Sequence, residues 1–306
     1  MELLITGAWR NAKQHIEALQ ALGYRVWFLQ NEQDELPCDK KLIEGVVCNS
    51  LFLYHDISEF SSLRFIQLTS AGLDRVPVEH IQSHDIALYN ARGVYSIPMA
   101  EHAVAAALQF FRNSWFFYEN QQKHLWQKDR GLRELFGSTV CIIGCGSVGT
   151  ECAKRFSAMG CKVYGIDLKP YDNLNFEKMT GLDTLEEVIV QADVVVLSLP
   201  LSQQTEKMVD SRFFSALKNG CVLINISRGG IIDQDAFINS LNEKELYAAL
   251  DVFGNEPLDP DDPLWRMSNV LITPHNSFVG DGNNRRLDTL IMENLTHENG
   301  SDQSFG

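Results

Sequence analysis

Apolar positions in the first ninety residues gather into short runs separated by polar stretches. "LLITG" (3–7), "RVWFLQ" (25–30), "GVVCNS" (45–50), "RFIQLTS" (64–70) and "IALYNA" (86–91) each read as a strand. Residues 11–22 instead carry Ile16, Leu19 and Leu22 at helical intervals. Short apolar strands separated by helical or loop segments predict a parallel sheet with crossovers. Residues 98–126 read as one long helical pattern, rich first in alanine and then in aromatics. A second alternating series follows, with strands "TVCIIG" (139–144), "KVYGID" (162–167), "DVVVLSL" (193–199), "CVLINIS" (221–227), "LYAALDVF" (246–253) and "NVLITP" (269–274). Helices predicted over 148–159, 206–217 and 233–243 fill most of the gaps. The class is therefore α/β, with doubly wound parallel sheets whose strands are apolar enough to be covered on both faces. No repeat at solenoid period and no low-complexity tract occurs. The last dozen residues, "LTHENGSDQSFG", are polar and predict a frayed end.

A chain of 306 residues, 45% hydrophobic, is long enough to bury the cores of two domains. No run of about 18 apolar residues offers a membrane span, and "MELLITGAWRNAKQ" lacks the basic-then-apolar pattern of a signal peptide. Seven cysteines, an odd number scattered through strand-like and helix-like segments, predict free thiols and a cytoplasmic, reducing compartment. The formal charge of −14 argues against nucleic acid as a partner, because the mean field repels phosphate. An anionic substrate would then depend on a few local cations or backbone N–H groups.

One such place follows the strand "TVCIIG": Gly144-Cys145-Gly146-Ser147-Val148-Gly149, then a helical pattern, then a strand ending in Asp167, 18 positions after the last glycine. A G-x-G-x-x-G alone is weak. Between a strand and a helix, with an acid at this distance, it is a strong dinucleotide signature. The glycines allow a tight turn and close backbone approach, so that a pyrophosphate rests on the helix N-terminus. Asp167 would accept the adenosine ribose hydroxyls and meet a 2′-phosphate with its own charge, favouring NAD over NADP. Lys169 pulls the other way. An ordinary strand–helix turn, its glycines only relieving sterics, is the plainer alternative, and the acid and the surrounding layout weigh against it. Cys141, Cys145, Cys152 and Cys161 match no zinc spacing, and small apolar packing explains them; no metal is predicted.

Four polar residues stand just past strands in the second half: Arg228, Asp251, Glu256 and His275. In an open parallel sheet the strand C-termini line the ligand crevice. Taken singly, each has a plain explanation: a surface arginine, a turn-capping acid, a solvated loop acid, a loop histidine. The set fits one chemistry. Reduction of a ketone needs a proton for the developing alkoxide, which a histidine supplies near neutral pH. A carboxylate such as Glu256 would orient that imidazole, and arginine is the bidentate partner of a 2-oxo acid's carboxylate.

The sequence resembles the D-isomer-specific 2-hydroxyacid dehydrogenase family over nearly its whole length. The resemblance lies in "TSAGLDRV" (69–76), "NARGVYSIPMAEHAVAAAL" (90–108), "VCIIGCGSVG" (140–149), "ADVVVLSLPLSQQT" (192–205), "LKNGCVLINISRGGIIDQDAF" (217–237), "AALDVFGNEPL" (248–258) and "LITPHNSF" (271–278). It implies a flavodoxin-like substrate domain, residues 1–96 with 279–306, and a Rossmann NAD-binding domain, residues 97–278. The helix "RRLDTLIMENL" (285–295) would return to complete the first.

The resemblance also implies roles. Arg228 would bind substrate, His275 would be the acid/base, and Glu256 would support it. Asp251 would lie near the nicotinamide carboxamide. The N–H groups of Ser70, Ala71 and Gly72 would cradle the substrate carboxylate. Gly144, Gly146, Ser147, Val148, Gly149, Asp167, Leu199, Pro200, Thr205, Ile226, Ser227 and Ser277 would line the cofactor, with Arg228, Asp251 and His275 at its nicotinamide end. Hydride would pass between NAD(H) and a small 2-oxo or 2-hydroxy acid in a cleft that closes to exclude water.

Three features depart from the family's common pattern. Pro98-Met99 precedes Ala100-Glu101-His102, Asn276-Ser277-Phe278 follows the histidine, and no appended regulatory domain is expected. Formate dehydrogenases of this fold pair their histidine with glutamine, so Glu256 indicates the 2-hydroxyacid branch. The aromatic stretch 110–126, with Phe111, Trp115 and Tyr118 at helical spacing, is expected at a homodimer interface. A rival function is an NAD(H)-sensing co-repressor-like binding protein on the same fold, whose cue would be long partner-binding tails.

Overall fold

The computed structural model describes residues 1–301. The chain forms two compact units, Met1–Tyr95 with the segment from Gly280 onward, and Ser96–Val279. In the first, β1 (Glu2–Thr6), β2 (Arg25–Leu29), β3 (Gly45–Cys48), β4 (Phe65–Leu68) and β5 (Ala87–Tyr89) pair in the order β2-β1-β3-β4-β5. Every pairing is parallel, so the strand C-termini share one edge. Successive residues of β1 face opposite cores: Leu3 and Ile5 pack with Trp9 and Leu19, whereas Leu4 packs with Val46 and Leu51. The helices of this part are short, α1 (Ile16–Ala21) and α2 (Val78–Ser83). The helix expected over 11–22 is split, its start being a 3₁₀ turn over Ala12–His15.

The second unit opens with α3 (Ser96–Phe111) and α4 (Ser114–Gln122). The single helix expected over 98–126 is broken at Asn113. Asn113 adopts a left-handed φ of 47°, which asparagine tolerates better than most residues, and its side chain donates to Asp129 at 2.8 Å. Arg133 then returns its N–H to the carbonyl of Phe111 and lays its guanidinium 4.0 Å over the Phe111 ring. Phe111 therefore lies on α3 and Trp115 and Tyr118 on α4, so the three share no single helix: Phe111 is buried, Trp115 lies tilted against Phe110, and Tyr118 is exposed.

The sheet of this unit comprises β6 (Thr139–Ile143), β7 (Lys162–Ile166), β8 (Lys178–Thr180), β9 (Val194–Leu197), β10 (Cys221–Asn225), β11 (Leu246–Leu250) and β12 (Val270–Ile272). Its order is β12-β11-β10-β9-β6-β7-β8, again all parallel. β8 lies outside the strands that the sequence pattern predicts, because "KMT" has no apolar run. The crossover helices are α5 (Ser147–Ala158), α6 (Leu185–Ile189), α7 (Ser211–Ala216) and α8 (Gln234–Glu243). The helix expected over 206–217 is shorter because Lys207 takes a φ of 51° and Asp210 caps at its side chain, accepting from Phe213 N at 3.0 Å. Val140 and Ile142 enter one core and Cys141 and Ile143 the other. The sheet is thus covered on both faces.

The chain ends on α9 (Asn283–Ser301) of the first unit. Residues 295–301, expected to fray, continue this helix, and residues 302–306 lie outside the described residues. Asp288 of α9 accepts from the buried Trp9 indole at 2.6 Å and from Asn11 at 2.8 Å. Tyr24 Oη donates to Leu295 O at 2.7 Å, Arg286 Nε to Val94 O at 2.7 Å.

Candidate functional site

In the second unit the strand numbers rise outward in both directions from the β6–β9 pair, so the chain switches direction there. The carboxyl edge at such a switch is where open α/β sheets bind ligands. Gly144 follows β6 with φ 91°, and a Cβ there would come within 2.7 Å of Leu199 N. A Cβ on Gly149 would sit 2.1 Å from Gly144 O, so α5 can pack this close to the turn only with glycine at that place. Among the described residues, no protein acceptor takes the N–H groups of Ser147 or Val148 in the first turn of α5. They are available to an anion. Asp167, the residue after β7, accepts from Cys145 N at 2.7 Å and from Lys169 N at 3.0 Å. Ser198 Oγ donates to Gly144 O at 2.7 Å. Beyond β9, buried Thr205 donates to Pro200 O at 2.7 Å and accepts from Ser202 N at 2.8 Å, bracing the loop that Leu199 and Pro200 begin.

Past β10, β11 and β12 stand the four polar residues. Asn225, fully buried, accepts from Ser227 N and Oγ and donates to Arg228 O at 3.1 Å, fastening the turn that presents Arg228. Arg228 Nη1 donates to Ser227 O at 2.8 Å. Ile226 and Ser227 themselves are buried. Asp251 is also buried, and its carboxylate accepts from Thr273 Oγ1 at 2.6 Å, Asn276 N at 2.8 Å and Ser277 N at 2.9 Å. It therefore clamps both sides of His275, whose own N–H donates to Asp251 O at 2.8 Å.

The His275 side chain is 43% exposed, and its Nδ1 lies 2.7 Å from Glu256 Oε2. Glu256 Oε1 accepts from Phe253 N at 3.0 Å, which aims the carboxylate. The edge of Phe278 meets the His275 ring at 6.0 Å between centroids. On α3, burial holds the His102 imidazole below its ordinary value, while the nearby Asp251 charge pulls in the opposite direction. Burial also pushes the Cys145 thiol up to about 12, so it is a packed, neutral group.

Ser70, Ala71 and Gly72 belong to the first unit, just past β4. Among the described residues no protein acceptor takes their N–H groups, while their segment is pinned from the other side. Ala91 N donates to Ser70 O at 2.9 Å, Asn90 Nδ2 to Ala71 O at 2.8 Å, and Tyr95 Oη to Thr69 O at 2.5 Å. Three such N–H groups in a row on a pinned loop suit a carboxylate.

Residues 104–277 match the D-isomer specific 2-hydroxyacid dehydrogenase, NAD binding domain. A glyoxylate reductase of Korarchaeum cryptofilum is 30% identical over 283 residues, 86% of this chain and 84% of that protein. The chain belongs to the D-isomer-specific 2-hydroxyacid dehydrogenase family. The structure of a D-isomer specific 2-hydroxyacid dehydrogenase family protein from Aeromonas salmonicida matches with a TM-score of 0.81 at 26% identity, covering 98% of this chain and 96% of that one. A second family structure, from Xanthobacter autotrophicus in complex with NADPH and MES, matches with a TM-score of 0.78 at 24% identity, covering 96% and 93%.

As a member of this family the protein is an oxidoreductase with an NAD-binding domain. Its two parallel-sheet α/β units are the fold of the 2-hydroxyacid dehydrogenases. Two residues that fasten this site, Asn225 and Thr273, are not among the site residues that the sequence offers. Asn225 had a signal, a polar residue inside the apolar run "CVLINIS". Thr273 had none, since it acts through Asp251, 22 positions away.

Proposed function

We propose that this protein is an NAD-dependent D-2-hydroxyacid dehydrogenase that interconverts a small 2-oxo acid and its D-2-hydroxy acid. The observation that carries the reading is the exposed His275 held by Glu256 at 2.7 Å on the same sheet edge as the glycine-rich turn. NADH supplies the hydride when bound. With Nδ1 committed to Glu256, His275 Nε2 is the nitrogen that gives its proton to the carbonyl oxygen, and recovers it in the reverse direction. The Glu256 carboxylate holds the ring in the orientation this transfer needs. Arg228 binds and orients the substrate through its guanidinium. The Ser70, Ala71 and Gly72 N–H groups receive the substrate carboxylate. Asp251 holds the loop of His275 and the nicotinamide end. Gly144, Gly146, Ser147, Val148 and Gly149 carry the pyrophosphate, and Leu199, Pro200, Thr205, Ile226, Ser227 and Ser277 complete the cofactor's surroundings.

Asp167 supports NADH over NADPH. Its carboxylate is fixed by two backbone donors, so it cannot swing away from a 2′-phosphate. Trp126 is 99% exposed, with Leu125, Phe117 and Tyr118 also exposed, and these apolar side chains support a homodimer through the aromatic stretch 110–126. Seven free cysteines, with no disulfide among the described residues, support a reducing, cytoplasmic setting.

The test is NADH oxidation against pyruvate, glyoxylate, hydroxypyruvate, phenylpyruvate and branched 2-oxo acids. At least one should turn over, and His275→Ala should lose activity by two orders of magnitude or more. Tight NADH binding without turnover of any acid would defeat the reading, and full activity in His275→Ala would defeat the assignment of the proton donor. The same panel with NADPH should be clearly slower, and equal rates would remove the role given to Asp167.

A further inference from the structure

The middle residue of the glycine-rich turn is held at every polar atom. Cys145 N donates to Asp167 Oδ2 at 2.7 Å, and its buried thiol rests 3.6 Å from the carbonyls of Ile142 and Ile166. Its carbonyl accepts from Tyr171 Oη at 2.8 Å and from Thr150 Oγ1 at 3.3 Å, and the two hydroxyls are 3.0 Å apart. Tyr171 lies in the segment between β7 and β8, four positions past Asp167, and its own N–H rests on Met179 Sδ at 3.5 Å. That segment is wet: Leu168, Lys169, Pro170, Asp172 and Leu174 are exposed, as is much of Tyr171 itself. Packing alone would leave it mobile. The two hydroxyls tie it to the turn.

We propose that Tyr171 is a positioning residue for the dinucleotide. With Thr150, its hydroxyl locks the segment after Asp167 to the carbonyl of Cys145. The N–H groups that follow Cys145 and the carboxylate of Asp167 are then presented as one preformed cradle. A loop ordered before the ligand arrives does not lose that freedom on binding, so the benefit appears as affinity. This inference rests on the dinucleotide reading of the turn and concerns binding, not proton or hydride transfer.

The experiment is fluorescence titration of the intact protein with NADH, together with steady-state kinetics, for Tyr171→Phe, Thr150→Val and Thr150→Ser. Tyr171→Phe removes only the hydroxyl, and the Kd and KM for NADH should rise about fivefold, as expected for one neutral hydrogen-bonded node. kcat at saturating NADH and the KM of the 2-oxo acid should stay at the parent values. ADP-ribose, which has the adenosine and pyrophosphate without nicotinamide, should lose affinity in parallel. Thr150→Ser should stay near the parent, and Thr150→Val should move partway toward Tyr171→Phe. A Kd within twofold of the parent in Tyr171→Phe overturns the proposal, as does a fall in kcat with Kd unchanged. Should the parent bind neither NADH nor ADP-ribose, the dinucleotide reading falls and takes this inference with it. Should NADH bind tightly without turnover, only the reductase reading falls, and the Kd comparison still decides.

Discussion

His275 has a φ of 50°, a backbone conformation that a non-glycine residue adopts only when its surroundings impose it. Those surroundings are Asp251. Its carbonyl takes His275 N at 2.8 Å, and its carboxylate takes Thr273 Oγ1, Asn276 N and Ser277 N. Such a carboxylate is not replaceable by its amide. In Asp251→Asn one of the two backbone donors, at Asn276 or Ser277, would face an NH₂ group, leaving a buried donor unpaired. The expected outcome is a stability loss of about 2–3 kcal/mol in urea unfolding and a drop in kcat well beyond that in NADH affinity. Unchanged kcat in a folded Asp251→Asn protein would show that the loop does not need this clamp. The proposed acid/base is thus held by a residue whose side chain points inward, into the fold.

At the scale of elements, two joints are exposed to single substitutions. The first is α5 against β6, where Gly149 leaves 2.1 Å between a notional Cβ and Gly144 O. Gly149→Ala must push the helix off the turn, and we expect it to cost about 1–3 kcal/mol and to weaken NADH binding, measured by melting temperature and titration. The second is α9 on the first unit. Asp288→Ala would leave the fully buried Trp9 indole N–H without its acceptor, and the melting temperature should fall by the equivalent of about 1–3 kcal/mol. Asp288→Asn, which keeps one acceptor oxygen, should recover part of that loss. A melting temperature for Asp288→Ala equal to the parent would mean that α9 is held by its apolar face alone, through Leu287, Ile291 and Leu295.

For the whole molecule, the buried thiols set a limit on the alkaline side. Burial raises Cys145, Cys152 and Cys221 from an ordinary 9.0 to about 12. A value raised in the folded state means that the native protein holds these protons more tightly than the unfolded chain. The stabilisation is complete below pH 9 and is lost as pH climbs toward 12. The urea midpoint should therefore fall through that window, and less steeply in Cys152→Ala; equal slopes would remove the thiols as the cause. For the apolar face around Trp126, Trp126→Asp with Leu125→Asp should convert a dimer to monomers in sedimentation without lowering the helix content, and a parent that sediments as a monomer would dispose of the dimer. Much of this molecule was legible in its residues. The runs of β1 to β7 and β9 to β12, the glycine turn with Asp167 behind it, and the residues after β10, β11 and β12 all depend on spacing along the chain. Strand periodicity and turn chemistry are local, so one dimension suffices for them. The break at Asn113, the three-residue strand β8, the inward carboxylate of Asp251 and the Tyr171 node were decided only in the tertiary structure. Each depends on groups from elsewhere in the chain arriving within about 3 Å, for example Thr273 reaching back 22 positions to Asp251 and Tyr171 reaching back 26 to Cys145.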